Sequence, residues 1–239
     1  KYPLSGPNLL ASEAILDPQL TLSVPPAITA DTGLDALTHA IEAYVSTGAG
    51  DFTDAWCEKA VQLIFEYLPV AHKGGDSPEA VEAREKMSNA ATLAGLAFNI
   101  AGLGVNHGIA HAVGARFHLP HGRACQLLLS QVMTFNAALE GVRNGEYSLA
   151  ARKYAHLAKI LGLNSASVRL GASTFIREVG RLCAKVGEPS TLRQCGVDPA
   201  EARAALPELA AKAVVDPTTS TNPRPVSEEQ VVAILERLV

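Results

Sequence analysis

The sequence predicts an all-α protein, a helical array of about eight or nine helices, on three observations. Alanine and leucine are abundant while aromatics make up only 5% of the 239 residues, a balance that favours helix over sheet. From residue 27 onward apolar residues recur at helical spacing, in runs separated by proline- and glycine-rich breaks. Two of the most apolar runs carry ligand-type side chains four apart, a spacing that in a helix places both on one face, one turn apart.

The elements follow in order. Residues 1–26 hold Pro3, Pro7, Pro18, Pro25 and Pro26, which forbids a long helix and predicts an extended connector; Glu13 to Asp17 is its one candidate strand. Residues 27–239 form the helical domain. Asp31 or Thr32 supplies a cap and Gly33 marks a kink, so the first helix body is expected over 34–46. The second runs from Phe52 to Leu68, closed by Pro69 and the Lys73–Pro78 segment, with a broad apolar stripe at 56, 60, 61, 63, 64, 67 and 68. Ser77-Pro78-Glu79 opens a third that reaches toward Phe98, with proline in the first turn and an acid at the positive end of the dipole. Its small, uncharged second half belongs to a core. Gly102 and Gly104 separate it from a histidine-bearing helix that stops at Pro120. Further helices are expected over 124–138, 147–161, 165–186, 198–214 and 227–238, the last opened by a Ser227…Gln230 capping box.

Composition narrows the function classes. A net charge of −4 and a pI near 6.0 provide no basic field for nucleic acid or an anionic membrane surface, which leaves small molecules as the expected partners. No apolar run approaches the roughly 20 residues needed to cross a bilayer. Cys57, Cys125, Cys183 and Cys195 are scattered, without a C-x-x-C pair, which fits free thiols in a reducing cytoplasm. No strand, glycine-rich loop and helix in succession offers a pyrophosphate cradle.

The chemistry concentrates in Gly102 to Gly122, where four of the seven histidines fall within fifteen residues. His107 and His111 leave one helix face a turn apart, and a bend at Pro120-Gly122 can swing His121 back toward that face. Upstream, Asp35 and His39 repeat the same spacing. One Asp and three His make a mixed N/O donor set that suits Fe(II) or Zn(II) better than calcium or magnesium. His118 competes with His121, and Asp31 with Asp35. The bland alternative, histidines that cap helices or satisfy carbonyls, leaves several buried polar groups without an evident partner. Water activation in a helical metallohydrolase is the other chemistry open to such a set; it needs further carboxylates, for which Glu42 and Asp31 are the nearby candidates.

These two stretches, Thr32-Gly-Leu-Asp-Ala-Leu-Thr-His-Ala-Ile-Glu42 and Ala94 through His107 to Pro120-His-Gly122, resemble the two signature regions of the iron-containing (group III) alcohol dehydrogenases. The opening Lys1-Tyr-Pro-Leu4 and the closing Thr221-Asn-Pro-Arg-Pro225 extend the likeness over essentially the whole chain. The resemblance implies a metal held by Asp35, His39, His107 and His121, in a dehydroquinate synthase-like α domain. It places His111 near nicotinamide and substrate in a proton-relay or positioning role, and Phe98 in the wall of the same cleft. It further implies NAD or NADP bound mainly by an α/β dinucleotide-binding domain that would precede this chain, and a homodimer or higher oligomer of the full-length protein. The branch it is most similar to acts on short primary alcohols such as ethanol and 1-propanol. By this reading the chain is the C-terminal half of such an enzyme and is inactive alone.

Overall fold

The computed structural model describes residues 6–9, 11–142 and 144–239; the Lys1–Leu4 motif and Pro3 lie outside them. Among the described residues there are nine α-helices and no strand: α1 Pro26–Val45, α2 Asp51–Lys73, α3 Pro78–Ala101, α4 Val105–Phe117, α5 His121–Ala137, α6 Leu149–Ile160, α7 Val168–Lys185, α8 Pro199–Val214 and α9 Glu228–Glu236. No single helix is long and apolar enough to cross a membrane.

Three expectations are corrected. Glu13–Asp17 is irregular chain rather than a strand, and the Asp17 carboxylate caps a short 3₁₀ turn over Pro18–Thr21. The first helix starts eight residues earlier than expected, at Pro26, whose fixed φ is pre-organised for a first turn. Gly33 is therefore mid-helix. A Cβ there would lie 2.4 Å from Leu68 Cδ1, so its role is to let α1 and α2 approach. Pro69 does not close α2, which continues to Lys73. The missing N–H forfeits one bond near the helix end, while Leu68, Pro69 and Ala71 are all buried. The caps read from sequence are present: Ser77 accepts from Ala80 N–H, and Ser227 and Gln230 form the reciprocal capping box.

Two hydrophobic cores meet along α5. One gathers α1, α2, α3, α6 and α7 around Leu34, Ile41, Ile64, Tyr154 and Phe175. The other packs α4, α8 and α9 around Val105, Ile109, Leu209 and Val231. The α5 helix contributes Leu129 and Met133 to the first and Leu127, Leu128 and Val132 to the second. Such sidedness locks the helix on both flanks, so the residues at its start are held by two cores at once. The Thr221–Pro225 segment fastens the second core to this axis. Asn222 Oδ1 accepts from Val105 N–H and from Asn136 Nδ2, both at 3.2 Å, and Asn222 Nδ2 donates to Asn136 Oδ1 at 2.9 Å.

Candidate metal centre

The seam between the cores is where α1, α4 and the start of α5 converge, and it holds the charged chemistry of the chain. Asp35 and His39 lie one turn apart on α1, His107 lies in the first turn of α4, and His121 is the first residue of α5 behind Pro120. One donor atom from each of the four comes within 4.8 Å of every other. The bend at Pro120–Gly122 works through glycine as well as proline. A Cβ on Gly122 would sit 2.0 Å from the Asp31 carbonyl oxygen, so only glycine lets α5 start against α1.

Asp35 Oδ1 is buried and has no hydrogen-bond partner. His107 Nε2 stands 3.7 Å from it and His121 Nε2 3.6 Å, too far for hydrogen bonds. Two ligands about 2.1 Å from one ion at tetrahedral angles are roughly 3.4 Å apart, so these separations fit atoms sharing a divalent cation. An orphaned carboxylate oxygen facing two imidazole nitrogens is costly unless a cation belongs between them.

Burial alone would raise the Asp35 pKa, but the facing His107 imidazole and the nearby His39 and His121 hold it below the usual carboxylate range. Burial, reinforced by His107, pushes His39 down to about 3, so His39 is a neutral imidazole at pH 7 with a free lone pair. Burial opposes the charge of His107, yet Cys125, Asp35 and Glu42 together hold its pKa above the ordinary value.

Glu42 is the functional residue that the sequence did not assign to its actual place. Its Oε1 accepts from Asn106 N–H at 2.7 Å, while Oε2 faces His107 N–H at 3.3 Å and His107 Nδ1 at 2.5 Å. It thereby caps the first turn of α4, where the helix dipole favours an anion, and fixes the His107 proton on Nδ1 so that Nε2 points at Asp35. The signal was there, since Glu42 is three residues after His39 and seven after Asp35, on the same helix face. Asp31, the other carboxylate in question, is paired with Arg123 at 3.1 Å. With both carboxylates committed, the extra ligands that a metallohydrolase site needs are not available.

Around the four donors the rings form a wall. Phe98 stacks on His39 with centroids 4.5 Å apart, and His39 on His107 at 4.6 Å. His111 stacks on His121 at 5.4 Å, and its Nδ1 is 2.9 Å from Asp216 Oδ2. Asp216, missed from sequence, also accepts from Thr218 N–H and Thr218 Oγ1; burial would raise its pKa, but these bonds and His111 lower it. Its visible signal was a helix-start pattern, Asp before Pro217. His118 is exposed at the left-handed end of α4, φ 55°. His156 is exposed beside Glu58, and His72 is half-buried far along α2. Cys125 is core as expected, but its thiol also touches the site, 3.8 Å from His107 Nε2 and 3.7 Å from His121 Nε2. Burial pushes its pKa up to about 12, which keeps it a neutral thiol.

The chain is 45% identical over 241 aligned residues to the 1-propanol dehydrogenase PduQ of Salmonella typhimurium, covering 100% of this chain and 62% of that protein. It is similar in structure to an iron-containing alcohol dehydrogenase from Thermococcus thioreducens, with a TM-score of 0.84 and 33% identity over 96% of this chain and 55% of that one. A 1,3-propanediol oxidoreductase superposes with a TM-score of 0.83 and 36% identity, over 93% and 55% of the two chains. The chain thus spans less than two thirds of the length of these relatives. The family model for the C-terminal part of the Fe-containing alcohol dehydrogenases matches residues 29–239, and the chain belongs to that family.

Proposed function

We propose that Asp35, His39, His107 and His121 hold one divalent cation, Fe(II) with Zn(II) as the alternative, and that the chain is the metal-binding, substrate-side part of an NAD(P)-dependent alcohol dehydrogenase. The reaction is the interconversion of short primary alcohols and aldehydes, a substrate range supported by the likeness to a 1-propanol dehydrogenase. The observation that carries the reading is the convergence of four N/O donors around the unpartnered Asp35 Oδ1.

Bound at these donors, a divalent cation acts as a Lewis acid that lowers the cost of deprotonating an alcohol at neutral pH. The remaining work falls to the side chains. Glu42 keeps the His107 proton on Nδ1, which reserves Nε2 as a donor. His111, held through Nδ1 by Asp216, presents Nε2 as a proton acceptor beside the His121 ring. Phe98 closes one side of the His39 ring and offers an apolar wall for a nicotinamide. The reading assigns nicotinamide binding mainly to a separate α/β domain, with residues 1–26 as the connector and 27–239 as the metal-binding domain.

The test fuses this chain to the nicotinamide-binding part of a relative and follows alcohol-dependent nicotinamide reduction with and without chelator. Activity on 1-propanol or ethanol that chelator abolishes and divalent metal restores is the expected result. Metal-independent turnover would overturn it.

A further inference from the structure

About 20 Å along α5 from His121 lies a cavity of about 670 Å³, within the range of small-molecule sites and apart from the metal donors. Three arginines line it: Arg169 near the start of α7, Arg224 in the loop before α9, and Arg237 just after α9. Each is aimed by one neutral contact. Arg169 Nη2 donates to the Leu139 carbonyl at 2.7 Å, and Arg237 Nη1 to Gln131 Oε1 at 3.3 Å. Arg224 Nη1 donates to the Phe135 carbonyl at 2.7 Å, its guanidinium lying 4.2 Å over the Phe135 ring.

None of the three makes an ion pair among the described residues, a state they share with Arg84, Arg152, Arg193 and Arg203; what sets them apart is that they line one cavity. A bland role exists, because the carbonyls of Phe135 and Leu139 lie at the C-terminal end of α5, where cations are favoured. That end carries about half a negative charge, and Glu140, the one carboxylate lining the cavity, adds one more. Three guanidiniums exceed this sum, and with Arg169 and Arg237 exposed and Arg224 half-buried, most of their donors face solvent and are open to a ligand.

We propose that this cavity binds a small, multiply charged oxyanion, a phosphate-bearing or polycarboxylate molecule gripped by the guanidinium forks of Arg169 and Arg237 and by Arg224. The planar fork matches phosphate and carboxylate oxygens two at a time, and no lysine lines the cavity. Phe135, Leu139 and Ile234 supply an apolar wall for the rest of the molecule.

Calorimetric titration of the metal-free 239-residue chain with pyrophosphate and with citrate, at ionic strength matched with chloride, tests this independently of the metal site. Saturable binding of one equivalent is expected, with pyrophosphate and citrate distinguishing the two anion classes. Arg169→Gln/Arg237→Gln should weaken it by at least about tenfold, while Arg237→Lys, which keeps the charge but loses the fork, falls between. Circular dichroism checks the fold of each variant, and Arg237→Gln alone serves if the double variant does not fold. Absence of saturable binding to either probe, or binding that the arginine variants leave unchanged, overturns the proposal.

Discussion

Replacing Glu42 by glutamine tests whether the carboxylate behind His107 organises the site or merely fills space. The side chain is 3% exposed, and its two oxygens face three N–H groups. Glutamine keeps the shape but has one acceptor oxygen and one NH2. With the NH2 in the Oε1 position, it confronts the Asn106 N–H, which had its acceptor at 2.7 Å. With the NH2 in the Oε2 position, it confronts His107 N–H and forces Nδ1 to accept, moving the ring proton to Nε2, where the ligand lone pair is needed. Either way a buried donor loses its partner, at about 1–3 kcal/mol, and a charge-assisted bond is lost. We expect Glu42→Gln to lower unfolding free energy by about 2–3 kcal/mol in urea melts. Metal affinity, read by competition with a chromophoric chelator, should fall about 10–100-fold. A variant that is destabilised but binds metal as tightly as the parent would refute the orienting role, leaving Glu42 as a helix cap alone.

Other outcomes follow from the same geometry. His107→Ala should lose bound metal and activity together, whereas His111→Ala should retain stoichiometric metal yet turn over more slowly in an assembled enzyme with a shifted pH profile; equal metal loss would place His111 among the ligands. Gly122→Ala drives a Cβ against the Asp31 carbonyl, so α5 must move away from α1. It should cost about 3 kcal/mol or more and weaken metal binding, measured by denaturation and chelator competition. Glu188, 3% exposed beside Arg123, has its pKa pushed by burial and the nearby Asp31 from 4.5 up to about 7. The folded state therefore binds more protons than the unfolded state between these values, so this group's contribution to stability falls as pH rises from 4.5 through 7. Glu188→Gln should flatten a decline of about 1–3 kcal/mol in that window; an unchanged pH profile would contradict the assignment.

The helical class and the two i, i+4 pairs were legible because they rest on local periodicity, whereas the choice of Asp35, His39, His107 and His121 as one set of four came from the resemblance to the alcohol dehydrogenase family. Asp35/His39 share a face through i, i+4 geometry alone, and Pro120 announces the bend before His121. Errors arose where distant packing decided the outcome. Pro69 reads as a stop until its burial is known. Gly33 gives no local sign that Leu68 packs against it, 35 residues away in sequence. Glu42 offered a face but no partner, because the N–H groups it satisfies belong to α4, beyond two intervening helices. Asp216 is separated from His111 by 105 residues, and no spacing rule reaches that far.

Four side chains from three helices are proposed to hold one divalent ion. Anomalous diffraction at the metal edge, from crystals loaded with Fe(II) under anaerobic conditions or with Zn(II), tests it most directly. We expect a single strong peak about 2.0–2.2 Å from Asp35 Oδ1 and from ring nitrogens of His39, His107 and His121, with His107 bound through Nε2. An ion bound elsewhere, or no peak among these residues at saturating metal, would contradict it.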